Sequence, residues 1–332
     1  MHSKRTLIIV PVLNDESSLI TLIRELAVGL ADRALSLLVV DDGSIPPIDV
    51  VDVGVIDGRV MTLSRNLGHQ KAIAIGLAYA VANNLADVFV VMDADGEDRP
   101  GDVSRLLAAL ESGTESGPEL SVVVARRMKR SERLAFRAFY QLYRLLFFLL
   151  TGHRISFGNF SAIPIAAARR LVAMNELWVS FPATLIRSRL PIIELPTERG
   201  KRYQDQSRMN FVSLITLGFG AVSTFIESAL TRIILVASGL VAVCIFASAS
   251  AIVLKLVGMA TPGWMTTVIG VSLILTIAVA ILSFVGLALT ILTGSQTVPA
   301  PSAVYSSFIA RISMFGVPSR SAAPPLSDVE RP

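Results

Sequence analysis

Three acidic clusters are the residues best suited by type and spacing to do chemistry. Asn14-Asp15-Glu16, Asp41-Asp42-Gly43-Ser44 and the run from Asp93 through Asp95 and Glu97 to Asp98 each follow a short apolar stretch. Carboxylates brought together repel, and a cation or a polar ligand between them relieves the repulsion. Taken singly, each cluster has a plainer reading: Asn14 or Ser44 can cap a helix or turn, and Asp-Gly pairs are ordinary turn chemistry. Their joint placement at three strand ends of one sheet favours a site. A second candidate is basic. Residues 126–144, RRMKRSERLAFRAFYQLYR, set seven basic residues, Arg126 and Arg137 among them, against the single acid Glu132, with aromatic and aliphatic residues interleaved. A solvated face of a core helix, a single-strand nucleic-acid surface and an interfacial helix on anionic headgroups all use that pattern. The third is favoured in a chain that also carries membrane spans, so no nucleic-acid partner is expected.

The elements that must hold the acids alternate in type. TLIIVPV, LSLLVV, VMTLS, DVFVVMD and LSVVVA read as strands buried on both faces of a parallel sheet. Helical patterns lie between them at 16–30, 69–83 and 100–111, and Pro100 suits a first helical turn. Strand–helix alternation predicts a doubly wound α/β domain, whose ligands bind at the carboxyl ends of the strands. PVLNDE after the first strand carries neither G-x-G-x-x-G nor a Walker pattern, and the chain has no G-x-S-x-G elbow. Dinucleotide oxidoreductases, P-loop NTPases and α/β-hydrolases are thereby poor candidates. The lone Cys244 excludes a disulfide scaffold and a cysteine zinc site, and three scattered histidines argue against a histidine metal site.

Of the 332 residues, 52% are hydrophobic and only 17% charged, where an average soluble chain carries about 25% charge. The apolar excess lies late. Residues 233–254 carry no charge, and a helix of that length spans about 33 Å, enough for a bilayer's hydrocarbon core. A second span is expected at about 265–292, after a turn containing Gly258, Pro262 and Gly263. TLIIVPV is too short for a signal peptide. Arg232 before the first span and Arg311, Arg320 and Arg331 after the second, against Lys255 at the turn, place both ends in the cytoplasm. The expected organisation is an α/β part at 1–125, a part with interfacial helices at 126–230, a transmembrane hairpin at 231–294 and a mobile cytoplasmic tail at 295–332.

PVLNDE, VVDDGS, SRNLGHQKAIAIGL and VVMDADGEDRP, in this order and spacing, resemble family 2 glycosyltransferases, and within them the polyprenyl-phosphate glycosyltransferases of the dolichol-phosphate mannose synthase type. The resemblance covers about residues 6–230, and the terminal helix pair matches bacterial members. It implies a GT-A domain and an enzyme of the hexosyltransferase type, with a nucleotide-sugar donor, a polyprenyl-phosphate acceptor and an Mg²⁺ or Mn²⁺ ion. Pro11, Asp15 and Asp42 would line the base and ribose pocket, Asp15 standing where the family more often has Glu. Asp93 and Asp95 form the D-x-D, with Glu97, in the place of a frequent Gln, completing the metal shell. Arg126 and Arg137 match the two arginines that grip the lipid phosphate, a task suited to a planar guanidinium. Arg202, Ser207 and Arg208 match a basic loop over the donor phosphates, although Asp205 stands where that loop has Gly. Asn159 replaces an aspartate regarded as a base. It cannot act as one, but a phosphate acceptor, largely dianionic at neutral pH, needs none.

The resemblance thus implies an inverting transferase on the cytoplasmic face of the inner membrane, moving one sugar from a UDP- or GDP-sugar to a polyprenyl phosphate, undecaprenyl phosphate in a bacterium. The rival readings are a transferase acting on another membrane lipid and a catalytically weak membrane scaffold. A processive polysaccharide synthase is disfavoured by the lack of Q-x-x-R-W. A homo-oligomer is left open.

Overall fold

The computed structural model describes residues 4–30, 34–49, 56–116, 120–127, 134–204, 218–259, 263–294 and 298–316. The described chain forms two compact units. One holds the sheet and is built from Met1–Glu132, Ile155–Leu217 and Pro299–Pro332; the other comprises Arg133–Arg154 and Gly218–Val298.

In the sheet unit the apolar runs become β1 (Thr6–Val12), β2 (Leu35–Asp41), β3 (Gly58–Leu63), β4 (Val88–Val91) and β5 (Val122–Arg127), followed by β6 (Ser161–Pro164), β7 (Ile192–Thr197) and β8 (Ile309–Phe315). The order across the sheet is β7-β5-β6-β4-β1-β2-β3-β8. β4, β1, β2 and β3 run parallel, whereas β6 is antiparallel to both β4 and β5, and β8 is antiparallel to β3. The parallel centre is the doubly wound core that the alternation predicts. In register, Val12 faces Asp41 and Asp41 faces Thr62, so the carboxyl ends of β1, β2 and β3 finish side by side.

Helices cover both faces. α1 (Glu16–Gly29) and α3 (Pro100–Ser116) lie on one, where Leu19, Leu22, Ile23, Leu26, Val103 and Leu106 pack with Ile8, Val10 and Val39. α2 (His69–Ala82) lies on the other, with α5 (Ile165–Val172) and α6 (Phe181–Arg187). Each fully buried Ile, Leu or Val of these clusters is worth roughly 1.5–3 kcal/mol over exposure. The α2 sequence is apolar nearly all round, the mark of a helix buried on all sides. Its small residues let it sit close: a Cβ at Gly76 would meet the Val40 and Ile9 methyls at 2.7 and 3.0 Å.

Part of what buries α2 comes from the far end of the chain. Residues 295–332 are expected to be mobile, yet a helical turn at Pro301–Val304, a 3₁₀ turn at Tyr305–Phe308 and β8 are ordered against the sheet unit. Tyr305 meets Tyr79 of α2 edge-on at 6.4 Å, Phe308 meets Trp178, and the Trp178 indole donates to the Pro299 carbonyl at 2.8 Å. Ser64 donates its N–H and its hydroxyl to the Phe308 carbonyl. The physical reason is edge satisfaction: without β8 the N–H and C=O groups on that side of β3 would be an open edge. Residues 317–332 lie outside the described set.

The second unit holds α4 (Leu134–Thr151), α7 (Ile226–Leu256) and α8 (Trp264–Gly294). α7 and α8 are each 31 residues long, about 46 Å at 1.5 Å per residue. Their most apolar windows are only 6% and 0% buried. Leu235, Val236, Phe246, Ile274 and Phe284 all stand exposed. Apolar surface of that extent marks a surface made for something other than water. α4 ends at Gly152, whose φ is +78°, and the Arg232 guanidinium of α7 donates to the Phe148 and Leu149 carbonyls at 3.4 and 3.1 Å. A cation at a helix C-terminus is electrostatically favourable. Leu145, Leu146, Phe148 and Leu149 of α4 are exposed, in keeping with an amphipathic helix at an apolar boundary. The basic residues 128–133 and the segment 209–217 lie outside the described set.

Candidate active site

The carboxyl edge of the parallel strands collects the expected acids, but by two different means. After β2, Asp41 is fully buried and accepts from the Ser44 and Ile48 N–H groups at 2.9 and 3.2 Å. Asp42 accepts from the Leu67 and Gly68 N–H groups at 2.8 and 2.9 Å. Gly43 has φ +78°, and a Cβ there would strike the backbone of Arg65 and Asn66, so only glycine lets the two loops approach. Burial raises the Asp42 pKa and the Asp41 charge adds to it, partly offset by the two N–H bonds and His69. Asp42 thus clasps the R-N-L-G turn that starts α2.

After β1, Asn14 joins the same wall: its N–H donates to the Ser44 hydroxyl and its side-chain oxygen accepts from the Ile45 N–H. Pro11 is buried in β1. Asp15 stands at the head of α1 without a side-chain cap bond. Its Oδ1 is buried and accepts no hydrogen bond among the described residues, an acceptor suited to a hydroxyl or N–H of a ligand.

After β4, basic side chains join the backbone donors. Asp93 Oδ1 lies 3.2 Å from His69 Nε2, and the Asp93 N–H donates to buried Asp98. Asp95 accepts from the Glu97 N–H at 3.0 Å and meets Arg202 Nε at 3.2 Å. Glu97, only 7% exposed, meets Arg202 Nε at 2.5 Å and also pairs with Arg199. The Asp95 pKa is raised by burial first, then by the Asp93 and Glu97 charges, against the Glu97 N–H bond and Arg202. An acid pair so placed attracts positive charge.

His69 opens α2, and sequence reasoning quoted its motif without giving it a role. The Phe181 N–H donates to Gln70 Oε1 at 2.7 Å, which leaves the Gln70 amide to donate to Asn159 Oδ1 at 3.2 Å. The Asn159 amide nitrogen then lies 2.9 Å from His69 Nε2. One nitrogen faces two demands: a lone pair serves Asn159, a proton serves Asp93. Burial alone would lower the His69 pKa, but Asp93, by charge and hydrogen bond, with Asp42 and Asp98, outweighs it and leaves the pKa raised. The anchored Gln70 amide was the signal that could have revealed Asn159 as a network member.

The remaining expected residues are placed as follows. Arg126 ends β5 and its exposed guanidinium pairs with Glu194 of β7 at 3.1 Å; Glu194 also accepts from Ser156. The Arg137 side chain, Ser207 and Arg208 lie outside the described residues. Among the described residues no three His, Cys, Asp or Glu side chains form a cluster able to hold a metal. Among the described residues Asp93, Asp95 and Glu97 do not converge on one point, and the Glu97 carboxylate pairs with two guanidiniums. Asp93 and Asp95 by themselves do fit a hard divalent cation, which commonly takes one or two carboxylates and completes its shell from phosphate oxygens and water.

An α/β sheet with a parallel centre, an acidic carboxyl edge and a basic loop laid on it defines a GT-A type glycosyltransferase fold. The model of the family described as Glycosyl transferase family 2 matches residues 7–178, and the chain belongs to that family. It is a glycosyltransferase. Among curated relatives, the undecaprenyl-phosphate 4-deoxy-4-formamido-L-arabinose transferases of Salmonella paratyphi B and Salmonella newport are each 25% identical over 247 residues, covering 71% of this chain and 72% of theirs. Among solved structures, glucosyl-3-phosphoglycerate synthase of Mycobacterium tuberculosis, in complex with Mn²⁺, UDP-glucose and phosphoglyceric acid, aligns with a TM-score of 0.49 at 17% identity, over 68% of this chain and 80% of that one. Mannosyl-3-phosphoglycerate synthase of Rubrobacter xylanophilus aligns at 0.43 and 15%, over 67% and 72%.

Proposed function

We propose that this glycosyltransferase moves one sugar from a UDP- or GDP-sugar to a polyprenyl phosphate at the cytoplasmic face of a bacterial inner membrane, with inversion at the anomeric carbon. The observation that carries the reading is the meeting, at one sheet edge beside Asp93, of the Asp95 and Glu97 carboxylates with the Arg199 and Arg202 guanidiniums. Carboxylates and arginines together suit a donor whose diphosphate bears charge that must be both bridged and screened. The naming of the curated relatives as undecaprenyl-phosphate sugar transferases supports the acceptor class.

The chain's own residues divide the work. Asp15, with its open acceptor oxygen, and Pro11 would line the nucleoside pocket, while Asp42 fixes the turn beneath it. Asp93 and Asp95 would hold Mg²⁺ or Mn²⁺, which when bound offsets the charge growing on the leaving diphosphate. Arg202, and with it Ser207 and Arg208, would add donors to that diphosphate. Arg126 and Arg137 would hold the acceptor phosphate; Arg126 would leave Glu194 to do so. The acceptor oxygen attacks as a dianion, and Asn159 takes no proton from it.

Chain connectivity supports the placement. The stretch from Gly218 to Val298 leaves the sheet unit and returns to it, because β8 is part of the sheet. If α7 and α8 span a bilayer, two crossings bring β8 back to the side of β3. The test is transfer of radiolabelled sugar from a panel of UDP- and GDP-sugars into extractable lipid, using membranes that contain the protein. Label in a mild-acid-labile phosphodiester lipid is expected. Label in diacylglycerol or polysaccharide, or none with any donor, would overturn the reading.

A further inference from the structure

Glu97 invites a second reading by where it points. It is almost fully buried, yet its carboxylate contacts two guanidiniums, from Arg199 and Arg202. The contact is part of a longer seam. The Gly200 N–H donates to the Glu97 carbonyl at 2.8 Å and the Tyr203 N–H to the Asp95 carbonyl at 3.0 Å, so residues 200–203 lie along 95–97 as a short ladder. Two glycines permit it. Gly96 has φ +84° and passes under the Tyr203 ring, and a Cβ at Gly200 would run into the Gly96 carbonyl. The far end is tied down by the Tyr203 hydroxyl, which donates to Glu25 at 2.8 Å. Burial, then the Glu25 hydrogen bond and charge, raise the Tyr203 pKa, so the hydroxyl keeps its proton.

The geometry points to Glu97 as a positioning residue: a buried anion that fastens the basic loop 199–203 on the D-x-D strand end and aims Arg199 and Arg202 at the donor-diphosphate position, and not a metal ligand. This deepens the glycosyltransferase reading and rests on it for the identity of the diphosphate. The chemistry agrees with the residue type. A buried carboxylate set between two half-buried guanidiniums offsets charge that a neutral amide would leave unmet. Asp95 then faces both a movable cation, Arg202, and the place of a divalent one. Glu97 keeps Arg202 at hand if a metal takes Asp95, so the guanidinium can turn to the phosphate oxygens without the loop leaving.

The experiment uses the full-length protein in detergent and two readouts independent of turnover. Trypsin cleavage after Lys201, followed by intact mass, reports how often the loop opens, because a protease needs the backbone freed from its ladder. Free Mn²⁺ by electron paramagnetic resonance reports metal affinity. For Glu97→Gln we expect cleavage after Lys201 to rise on the order of tenfold, with Mn²⁺ affinity unchanged. For Asp95→Asn, Mn²⁺ affinity should fall roughly tenfold or more. Arg199→Gln and Arg202→Gln reach the same seam from the other side. They should also speed cleavage after Lys201, which covers the case that Glu97→Gln does not fold. Glu97→Gln losing Mn²⁺ as Asp95→Asn does, or cleavage unchanged in all three loop variants, would overturn the assignment. Wild-type protein that binds neither Mn²⁺ nor UDP or GDP would count against the nucleotide-sugar reading, and the trypsin measurement would then decide the anchor by itself.

Discussion

At the end of β2 the acids Asp41 and Asp42 are met by four backbone N–H groups, from Ser44, Ile48, Leu67 and Gly68. At the end of β4 the acids Asp93, Asp95 and Glu97 are met mainly by His69, Arg199 and Arg202 side chains, the Glu97 N–H adding a backbone bond to Asp95. Backbone donors are fixed by the fold and cannot be exchanged without moving a loop. Side-chain cations can turn away about their own bonds and leave an anion open to another partner. On the proposed reading, the same residue type builds scaffold at the β2 end and an exchangeable site at the β4 end. A carboxylate count in the sequence does not distinguish them; the nature of the donor does.

The sharpest way to break that contrast is Asp95→Asn. If Asp95 serves the reaction, sugar transfer should fall by about 10²–10³-fold, the range seen when a single electrostatic partner of a transition state is removed. Stability should not fall with it. The Asp95 pKa is raised mainly by burial and by neighbouring charge, so at neutral pH its ionised form costs folding energy, and a neutral amide relieves that cost. A thermal melt at or above the wild-type midpoint with collapsed transfer is expected; a melt several degrees lower would move Asp95 to the scaffold. EDTA should stop wild-type transfer and Mn²⁺ or Mg²⁺ restore it.

The converse variant is Asp41→Ala. It leaves the Ser44 and Ile48 N–H groups unpaired beneath a buried turn, and each hydrogen bond to a charged group is worth roughly 1.5–3 kcal/mol. A loss of about 3 kcal/mol in unfolding free energy is expected, with the turnover of the folded fraction largely retained. Loss of turnover without loss of stability would erase the distinction between the two strand ends.

The contrast also explains what could be read from the sequence. TLIIVPV, LSLLVV and VFVV announced the parallel strands because strands buried on both faces need unbroken apolar runs, and the D-x-D was legible because its spacing is local. β8 was not legible: IARISMF sits among Pro, Ser and Ala residues, and its reason to be ordered, the open edge of β3, lies about 250 residues upstream. The all-round apolar character of α2 was visible, but its cover by Tyr305 was not. Glu97 was expected beside a metal because it follows the D-x-D by one further step of two. The turn at Gly96 breaks that extended alternation, and Arg199, about 100 residues away, pairs with the carboxylate. Long-range partners decided every such case.

The smallest expected effect lies between the two strand ends, at His69, which senses both Asp42 and Asp93. Its pKa is raised above 6.5, where burial alone would lower it. The imidazolium therefore stabilises the folded state. That contribution is complete below pH 6.5 and is lost as the pH rises through the higher folded value. His69 is one of only three histidines in the chain, which makes its nuclear magnetic resonance titration assignable. Asp93→Asn should lower the His69 pKa, because it removes the carboxylate that raises it most and leaves burial opposed only by the weaker charges. Asn159→Asp should raise it, because an oxygen in place of the Asn159 amide nitrogen accepts the same Nε2 proton that Asp93 wants, and the chain from the Phe181 N–H through Gln70 remains satisfied. Melting midpoints should follow the titration, the gain of Asn159→Asp being full near pH 5 to 6 and fading as the pH rises through the folded His69 value, in amounts that screening at a half-exposed ring keeps within about 1 kcal/mol. A His69 pKa that falls in Asn159→Asp would mean the Asn159 amide presents its oxygen to the ring, and the side-chain half of the contrast would have to be rebuilt with Gln70 reversed.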